Sequence, residues 1–248
     1  MGQVLRVDLT KGKSTAEQLP HEFVLNYVGG TGFAARILFD ELRSGMDAFS
    51  PENRLIFATG PLTGTLWPTA GRWAAYAKSP LTGIWGEAHC GGFFGPELKF
   101  AGYDMLILQG RAKQPVYLWI DDGTVEILPA RDLWGRNTAE TTDMIRERHG
   151  DKEIEVGCIG QAGERLVRFA CIMNNFQDTA GRVGLGAVMG SKNLKAVAVR
   201  GSQAVTVADD DRFMELVDDA HERVLKQPQA QQMTKYGTPL LVAYKSKI

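Results

Sequence analysis

The chain has 248 residues, 44% of them hydrophobic and 23% charged, and a net charge of −1. That length can bury a sizeable core, while the near-neutral balance leaves no electrostatic footprint for nucleic acid. No apolar run approaches the ~20 residues of a membrane span, and the start, MGQVLRVDLT, lacks a basic leader and an apolar signal core. The expectation is a cytoplasmic protein that binds neither nucleic acid nor membrane.

Residues 3–9 (QVLRVDL) and a polar return strand after Lys11-Gly12-Lys13 form a β-hairpin. Tyr27 to Arg43, where GGTG precedes the apolar-periodic FAARILFDEL, reads as a helix with a glycine entry. Arg54 to Thr59 is a buried strand closed by Gly60-Pro61, and Arg72 to Lys78 alternates as a strand. The loop KSPLTGIWGEAHCGG follows, then the helix-like PELKFAG and a strand from Asp104 to Gln109. Pro115 to Leu128 is a second hairpin, with Asp122-Gly123 at its tip. Thr138 to His149 is helical, and Glu153 to Ile159 and Leu166 to Met173 are strands. A second glycine loop leads to the strand Lys195 to Arg200. Beyond Ser202, Asp209-Asp210-Asp211 can cap a helix, and a broken helical stretch runs on to Tyr244.

The same order therefore occurs twice. Shifting residues 78–110 by 91 positions lays Gly95 on Gly186, Leu106 on Val197, Leu108 on Val199 and Gly110 on Gly201. Internal duplication implies two like halves about a pseudo-twofold axis, and the strand content implies an α+β domain on two sheets. The expected organisation is a domain over 1–206, with repeats at about 1–110 and 111–202, followed at 207–248 by the start of a helical domain.

A glycine-rich turn ahead of a helix lets backbone N–H groups converge on an anion. Two such turns could hold two phosphorylated groups or one large one. The loop from Lys78 to Gly92 also carries Leu81, Ile84 and Trp85, too apolar for a bare disordered loop, so a cofactor or another domain is expected to cover it. Arg72 and Arg182 flank the two loops, and guanidinium beside glycine-rich backbone suits bidentate phosphate contacts. Gly30-Thr31-Gly32-Phe33-Ala34-Ala35 fits a dinucleotide pattern superficially, but it follows a hairpin, so close helix packing is the better reading. Cys90, Cys158 and Cys171 form no CxxC, and their odd number argues against a disulfide framework or zinc knuckle. No carboxylate pair, nucleophile triad or metal cluster stands out. Spacing alone yields a binding platform without catalytic residues.

VLRVDLTKG, YVGGTGFAARIL, SPENRLIFATGPLTGT, KSPLTGIWG, GGFFGPELKFAGYD, IGQAGE and GRVGLGAVMGSKNLKAV together resemble the N-terminal domain of the tungsten-dependent aldehyde:ferredoxin oxidoreductase family. The resemblance covers essentially residues 1–202. It implies a two-sheet base carrying a tungsten (or molybdenum) bis-pterin cofactor, with Mg²⁺ joining the pterin phosphates and a [4Fe–4S] cluster ligated by residues outside this segment. By position, Arg72 would lie between a pterin and the cluster, and Gly91 would contact a pterin. Thr179, Ala180, Gly181 and Arg182 would complete the site from the second loop. His89 stands where the family often has Asn; its backbone carbonyl, and that of Thr179 or Ala180, would reach the magnesium. Val183 replaces a glycine common in the family. The implied activity is aldehyde oxidation to carboxylic acid with ferredoxin as acceptor, by an enzyme of which this segment alone would be inactive. Implied partners are ferredoxin, a small aldehyde, and a second copy or electron-transfer subunits. A tungsten aromatic-ring reductase of the benzoyl-CoA type and a non-catalytic pterin-binding module are the alternatives.

Overall fold

The computed structural model describes residues 2–246. The first repeat runs β1 (Gln3–Asp8), β2 (Lys13–Gln18), α1 (His21–Tyr27), α2 (Gly30–Glu41), β3 (Leu55–Thr59), β4 (Trp73–Lys78), β5 (Trp85–Cys90), α3 (Phe94–Phe100) and β6 (Met105–Gln109). The second runs β7 (Val116–Asp121), β8 (Thr124–Pro129), α4 (Thr138–His149), β9 (Glu155–Cys158), α5 (Gln161–Glu164), β10 (Ile172–Asn174), β11 (Asp178–Ala180), α6 (Leu185–Ser191) and β12 (Leu194–Arg200). Each repeat builds one six-stranded mixed sheet. The orders are β2-β1-β6-β3-β4-β5 and, read from its far side, β8-β7-β12-β9-β10-β11. Adding six to each strand number converts one into the other, down to the parallel β1–β6 and β7–β12 pairs. The duplicated two-sheet α+β fold expected from the sequence is the fold observed.

Alternation places the layers. On β4, Trp73, Ala75 and Ala77 face the inter-sheet core, while Ala74 and Tyr76 face outward. The short helices α3 and α6 feed Phe94, Leu98, Leu185, Val188 and Met189 into that same central layer. Phe57, Trp73 and Phe94 form its aromatic centre, with ring centroids 4.7–5.7 Å apart. The outer face of the first sheet is closed by α2 through Phe33, Ala34, Ile37 and Leu38, with half-buried Phe23, Val24 and Tyr27 of α1 packed beside them. The outer face of the second is closed by α4 through Ile145. Asn137 and Glu140 form a capping box at the start of α4, and Gly150 ends it in the left-handed region. The GTGFAA run has a packing role: a methyl group on Gly32 would run into the carbonyl of Tyr27.

Three expectations need correction. The stretch from Lys78 to Gly92 is not one long loop, because its second half is the edge strand β5. In WGEAHC, Gly86, Ala88 and Cys90 are buried while Trp85, Glu87 and His89 alternate outward, and glycine density masked that period. The strand expected from Leu166 to Met173 shrinks to Ile172–Asn174, as Leu166 takes a positive φ that breaks an extended run. The helix expected from Tyr27 to Arg43 is shortened to α2, Gly30–Glu41, because Val28 and Gly29 at positive φ separate it from α1, which ends at Tyr27.

A charged clamp ties α2 to the sheet. Glu41 accepts two bonds from the Arg6 guanidinium, at 2.8 and 3.0 Å, and one of 2.7 Å from Arg54. Burial pushes the Glu41 carboxyl up, but the bonds from both arginines outweigh it and leave the group below its ordinary range. A carboxylate depressed in the fold contributes stability that is present above its unfolded value and lost as pH falls through the folded one. Glu41→Gln is expected to cost about 1–2 kcal/mol at pH 7, with a smaller difference at pH 4, measured by urea unfolding at both.

The chain divides into two compact units, residues 1–65 with 71–205, and residues 66–70 with 206–248. The second unit carries α7 (Asp210–Leu225), α8 (Pro228–Tyr236) and α9 (Leu240–Lys245). Asp209 caps α7 by accepting from the Arg212 N–H at 2.9 Å. Within this unit Trp67 packs on Phe213, 6.3 Å between centroids.

Candidate functional site

β5 is the edge of the first sheet and β11 the edge of the second. The two edges lie side by side. A sheet edge leaves alternate backbone N–H and C=O groups without a strand partner, so two adjoining edges create a line of backbone groups available to a ligand. The turn after β5 (Gly91-Gly92) and the turn after β11 (Gly181 to Gly184) both open from this seam. The turn after β5 meets the start of β11, where Gly91 approaches Asp178, and the turn after β11 meets the loop before β5, where Val183 and Gly184 approach Ser79 and Pro80.

Close approach is what the glycines permit. A methyl group on Gly91 would lie 2.7 Å from Asp178 Oδ1. One on Gly92, whose φ is +74°, would run into Asn174 Oδ1 and lie 3.2 Å from Asp178 Oδ2. Asn174 and Asp178 are partners across the β10–β11 hairpin. Ser79, fully buried, clips the first loop to the second: its hydroxyl donates to the Val183 carbonyl at 2.7 Å and accepts from the N–H groups of Leu81 and Thr82. Gly184, at φ +78°, leaves no space for a methyl group against the Arg168 carbonyl. Gly181 differs: its nearest neighbours are Thr179 side-chain atoms at 3.8 and 3.9 Å, so its open side faces away from the protein.

The residues singled out from the sequence fall as follows. Trp73 pairs with Cys90, which puts Arg72 and Gly91 at the same end of the β4–β5 pair. Arg72 and Arg182 are exposed, and neither guanidinium has a hydrogen-bond or ion-pair partner among the described residues. Arg182 also holds a positive φ of 78°, uncommon for a side chain of this size. Thr179 and Ala180 lie on β11, with Ala180 pointing into the core and Thr179 exposed. The His89 imidazole turns onto the outer face of the first sheet and bonds Glu87 at 2.8 Å, so only its backbone belongs to the seam. Thr31 and Trp85 donate to the same carboxylate, at 2.9 and 3.1 Å. Burial raises Glu87, and these three partners outweigh it and hold the group below its usual range.

Asn174, Asp178 and Ser79 were not legible as site residues, because polar residues around a short hairpin look ordinary. The signal that could have found the first two is their spacing, which sets them opposite each other across a three-residue turn. Cys90 lies at the seam but is buried, and burial, with Asp178 nearby, pushes its thiol up to about 12. It is a packing group and not a nucleophile. Among the described residues no group of three or more His, Cys, Asp or Glu could hold a metal ion, and no helix is long and apolar enough to cross a membrane.

An open glycine face, two unpartnered guanidinium groups and two rows of edge backbone fit a polyanionic ligand such as a pair of phosphates. Carbonyl oxygens beside them fit a hard cation between those phosphates. Comparison with known proteins agrees in kind. Residues 4–201 match the family described as aldehyde ferredoxin oxidoreductase, N-terminal domain. The chain is 50% identical over 242 residues to the tungsten-containing aldehyde ferredoxin oxidoreductase of Pyrococcus horikoshii, covering 97% of this chain and 40% of that protein. The enzyme of the same description from Pyrococcus furiosus is 46% identical over the same shares. A solved structure, the active site complex BamBC of benzoyl coenzyme A reductase with 1,5-dienoyl-CoA, superposes at a TM-score of 0.90 with 38% identity over 92% of this chain and 35% of that one. The chain thus spans 40% of the length of the curated relatives above. With the family model matched over four-fifths of its residues, the chain belongs to the aldehyde ferredoxin oxidoreductase family, whose N-terminal domain it carries.

Proposed function

We propose that this chain is the cofactor-binding base of a tungsten bis-pterin oxidoreductase that converts an aldehyde and water to a carboxylic acid, releasing two protons and two electrons, with ferredoxin taking the electrons. The observation that carries the reading is the adjoining of the two sheet edges, each of which runs into a glycine turn. The bound cofactor supplies the redox chemistry, while the protein supplies binding, orientation and electrostatics. In this reading Gly91 and Gly181 admit the pterin phosphates to the backbone, and Arg72 and Arg182 provide positive charge beside them. Thr179 and Ala180 line the second half of the cradle. The carbonyls of His89 and of Thr179 or Ala180 face a magnesium ion bridging the phosphates. Cys90, Cys158 and Cys171 are not cluster ligands; a [4Fe–4S] cluster would be held by residues outside these 248. The working location is the cytoplasm.

The test is elemental analysis of the full-length protein for tungsten, molybdenum and magnesium, together with fluorescence of the oxidised pterin. Arg72→Ala is expected to leave the fold intact and impair electron transfer or cofactor retention. Removing a charge-assisted contact of about 1.5–3 kcal/mol corresponds to roughly a 10- to 150-fold effect. Unchanged turnover and metal content would count against this placement of Arg72. A second reading, an aromatic-ring reductase of the benzoyl-CoA type, is favoured by the 0.90 superposition on the benzoyl coenzyme A reductase complex. Turnover of aldehydes against that of aromatic acyl-CoA separates the two. The higher identity to the aldehyde enzymes supports the first. A protein free of tungsten, molybdenum and pterin would instead favour a binding module.

A further inference from the structure

Asn174 and Asp178 sit opposite each other across the β10–β11 hairpin and present oxygens to the Gly91-Gly92 turn. The Asn174 amide has only one sensible orientation. Its Nδ2 donates to the buried Glu155 carboxylate at 2.9 Å, which turns Oδ1 toward Gly92. Asn175 donates to the other Glu155 oxygen at 2.7 Å and accepts the Val156 N–H, so the hairpin is anchored from behind. Asn174 is 1% exposed, and its Oδ1 is shut off from solvent with no hydrogen-bond donor. The Asp178 carboxylate beside it likewise has no hydrogen-bond or ion-pair partner among the described residues.

Three side-chain oxygens thus crowd the Gly91-Gly92 turn, two on the Asp178 carboxylate and the buried Asn174 Oδ1 behind them. Together they repel an anion. A carboxylate next to bound phosphate is unfavourable unless a cation lies between them, and a buried carbonyl without a donor is costly on its own. Oxygen donors without thiolate or imidazole suit a hard divalent ion that keeps some of its waters. We propose that Asp178 supplies a carboxylate oxygen, backed by Asn174 Oδ1, to the phosphate-bridging divalent cation where the Gly91-Gly92 turn meets the β10–β11 hairpin. This inference rests on the reading that the glycine turns hold phosphates, and it adds side-chain oxygens to the backbone carbonyls assigned there.

The experiment is a Mn²⁺ titration of the full-length, magnesium-depleted protein followed by electron paramagnetic resonance, alongside tungsten and pterin content. One tight Mn²⁺ is expected in the wild type. Asp178→Asn, nearly identical in shape, should weaken it at least ~10-fold with an unchanged melting temperature. Asp178→Glu should recover part of the affinity and guards against a folding artefact in the first variant. Equal Mn²⁺ affinity in wild type and Asp178→Asn would overturn the role of Asp178 and leave the phosphate reading standing. A tungsten- and pterin-loaded wild type with no tight Mn²⁺ would overturn the cation and leave the cofactor. Absence of both tungsten and pterin would remove the reading on which the inference rests.

Discussion

Gly181→Val is expected to yield a protein with the melting temperature of the wild type and almost no bound pterin or tungsten. The two halves of this expectation have separate causes. Gly181 has no positive φ, and a methyl group there would meet only Thr179 side-chain atoms at 3.8–3.9 Å, an ordinary contact. A side chain at this position therefore costs little, within about 0.5 kcal/mol for a site of this kind. It would stand on the open side of the turn, where a phosphate must approach the backbone. Losing two charge-assisted N–H contacts at about 1.5 kcal/mol each lowers affinity by roughly 100-fold. Gly186→Ala supplies the contrast. Its methyl group would collide with the Cys171 carbonyl and lie 2.9 Å from that of Ala170, so that variant should lose the fold itself. Thermal melting and metal analysis on both variants separate the roles. A Gly181→Val protein that is fully loaded would make that turn structural only.

The difference between these two glycines marks how far the sequence could be read. The duplication was legible because its signature is periodic: hairpin, helix and apolar strand recur at a fixed spacing, and each copy dictates its own sheet. The approach of β5 to β11 was not, since which sheet edges adjoin depends on how two like units dock, a property of no local window. Residue type could suggest that Arg182 serves a ligand, and the family resemblance implied the same of Gly91 and Gly181. Neither could tell that Gly184 and Gly186 are needed by neighbouring backbone, because Arg168 and Cys171 come close only once the loop is folded. His89 is instructive in the same way. Its imidazole invites a ligand role, yet strand alternation sends it to Glu87 on the outer face and leaves only its carbonyl for the seam. Asn174 and Asp178 escaped notice because their meaning lies in an unmet hydrogen bond, which no sequence displays.

Lys192 poses the sharper energetic question. It follows α6 in the second repeat and reaches into the first, where its ammonium donates to the carbonyls of Asn53 at 2.6 Å and of Pro51 and Gly110 at 3.2 Å. It is fully buried and has no carboxylate hydrogen-bond or ion-pair partner among the described residues. Arg111 strengthens the same seam, donating to Phe49 O at 2.8 Å. Burial, and then the charges of Arg54 and Arg111, pull the Lys192 amine down to about 7. The three carbonyls act the other way, because a neutral amine would turn its lone pair toward one of them. Lys192→Met removes a buried charge but strips the donor from Asn53 O and Gly110 O; Pro51 O keeps the Gly110 N–H at 2.9 Å. Two bare carbonyls cost on the order of 2–6 kcal/mol, so the variant should be strongly destabilised at neutral pH. With a folded value near 7 against 10.5 unfolded, the unfolded chain binds the extra proton between those limits, and wild-type stability gains as pH rises through that window. Methionine cannot titrate. The gap between wild type and Lys192→Met in urea unfolding should therefore widen from pH 6.5 to pH 9.5, with contributions from other groups cancelling in the difference. A gap that stays constant would mean that the carbonyls hold the proton throughout, and that the seam between the repeats is fastened by a permanent cation.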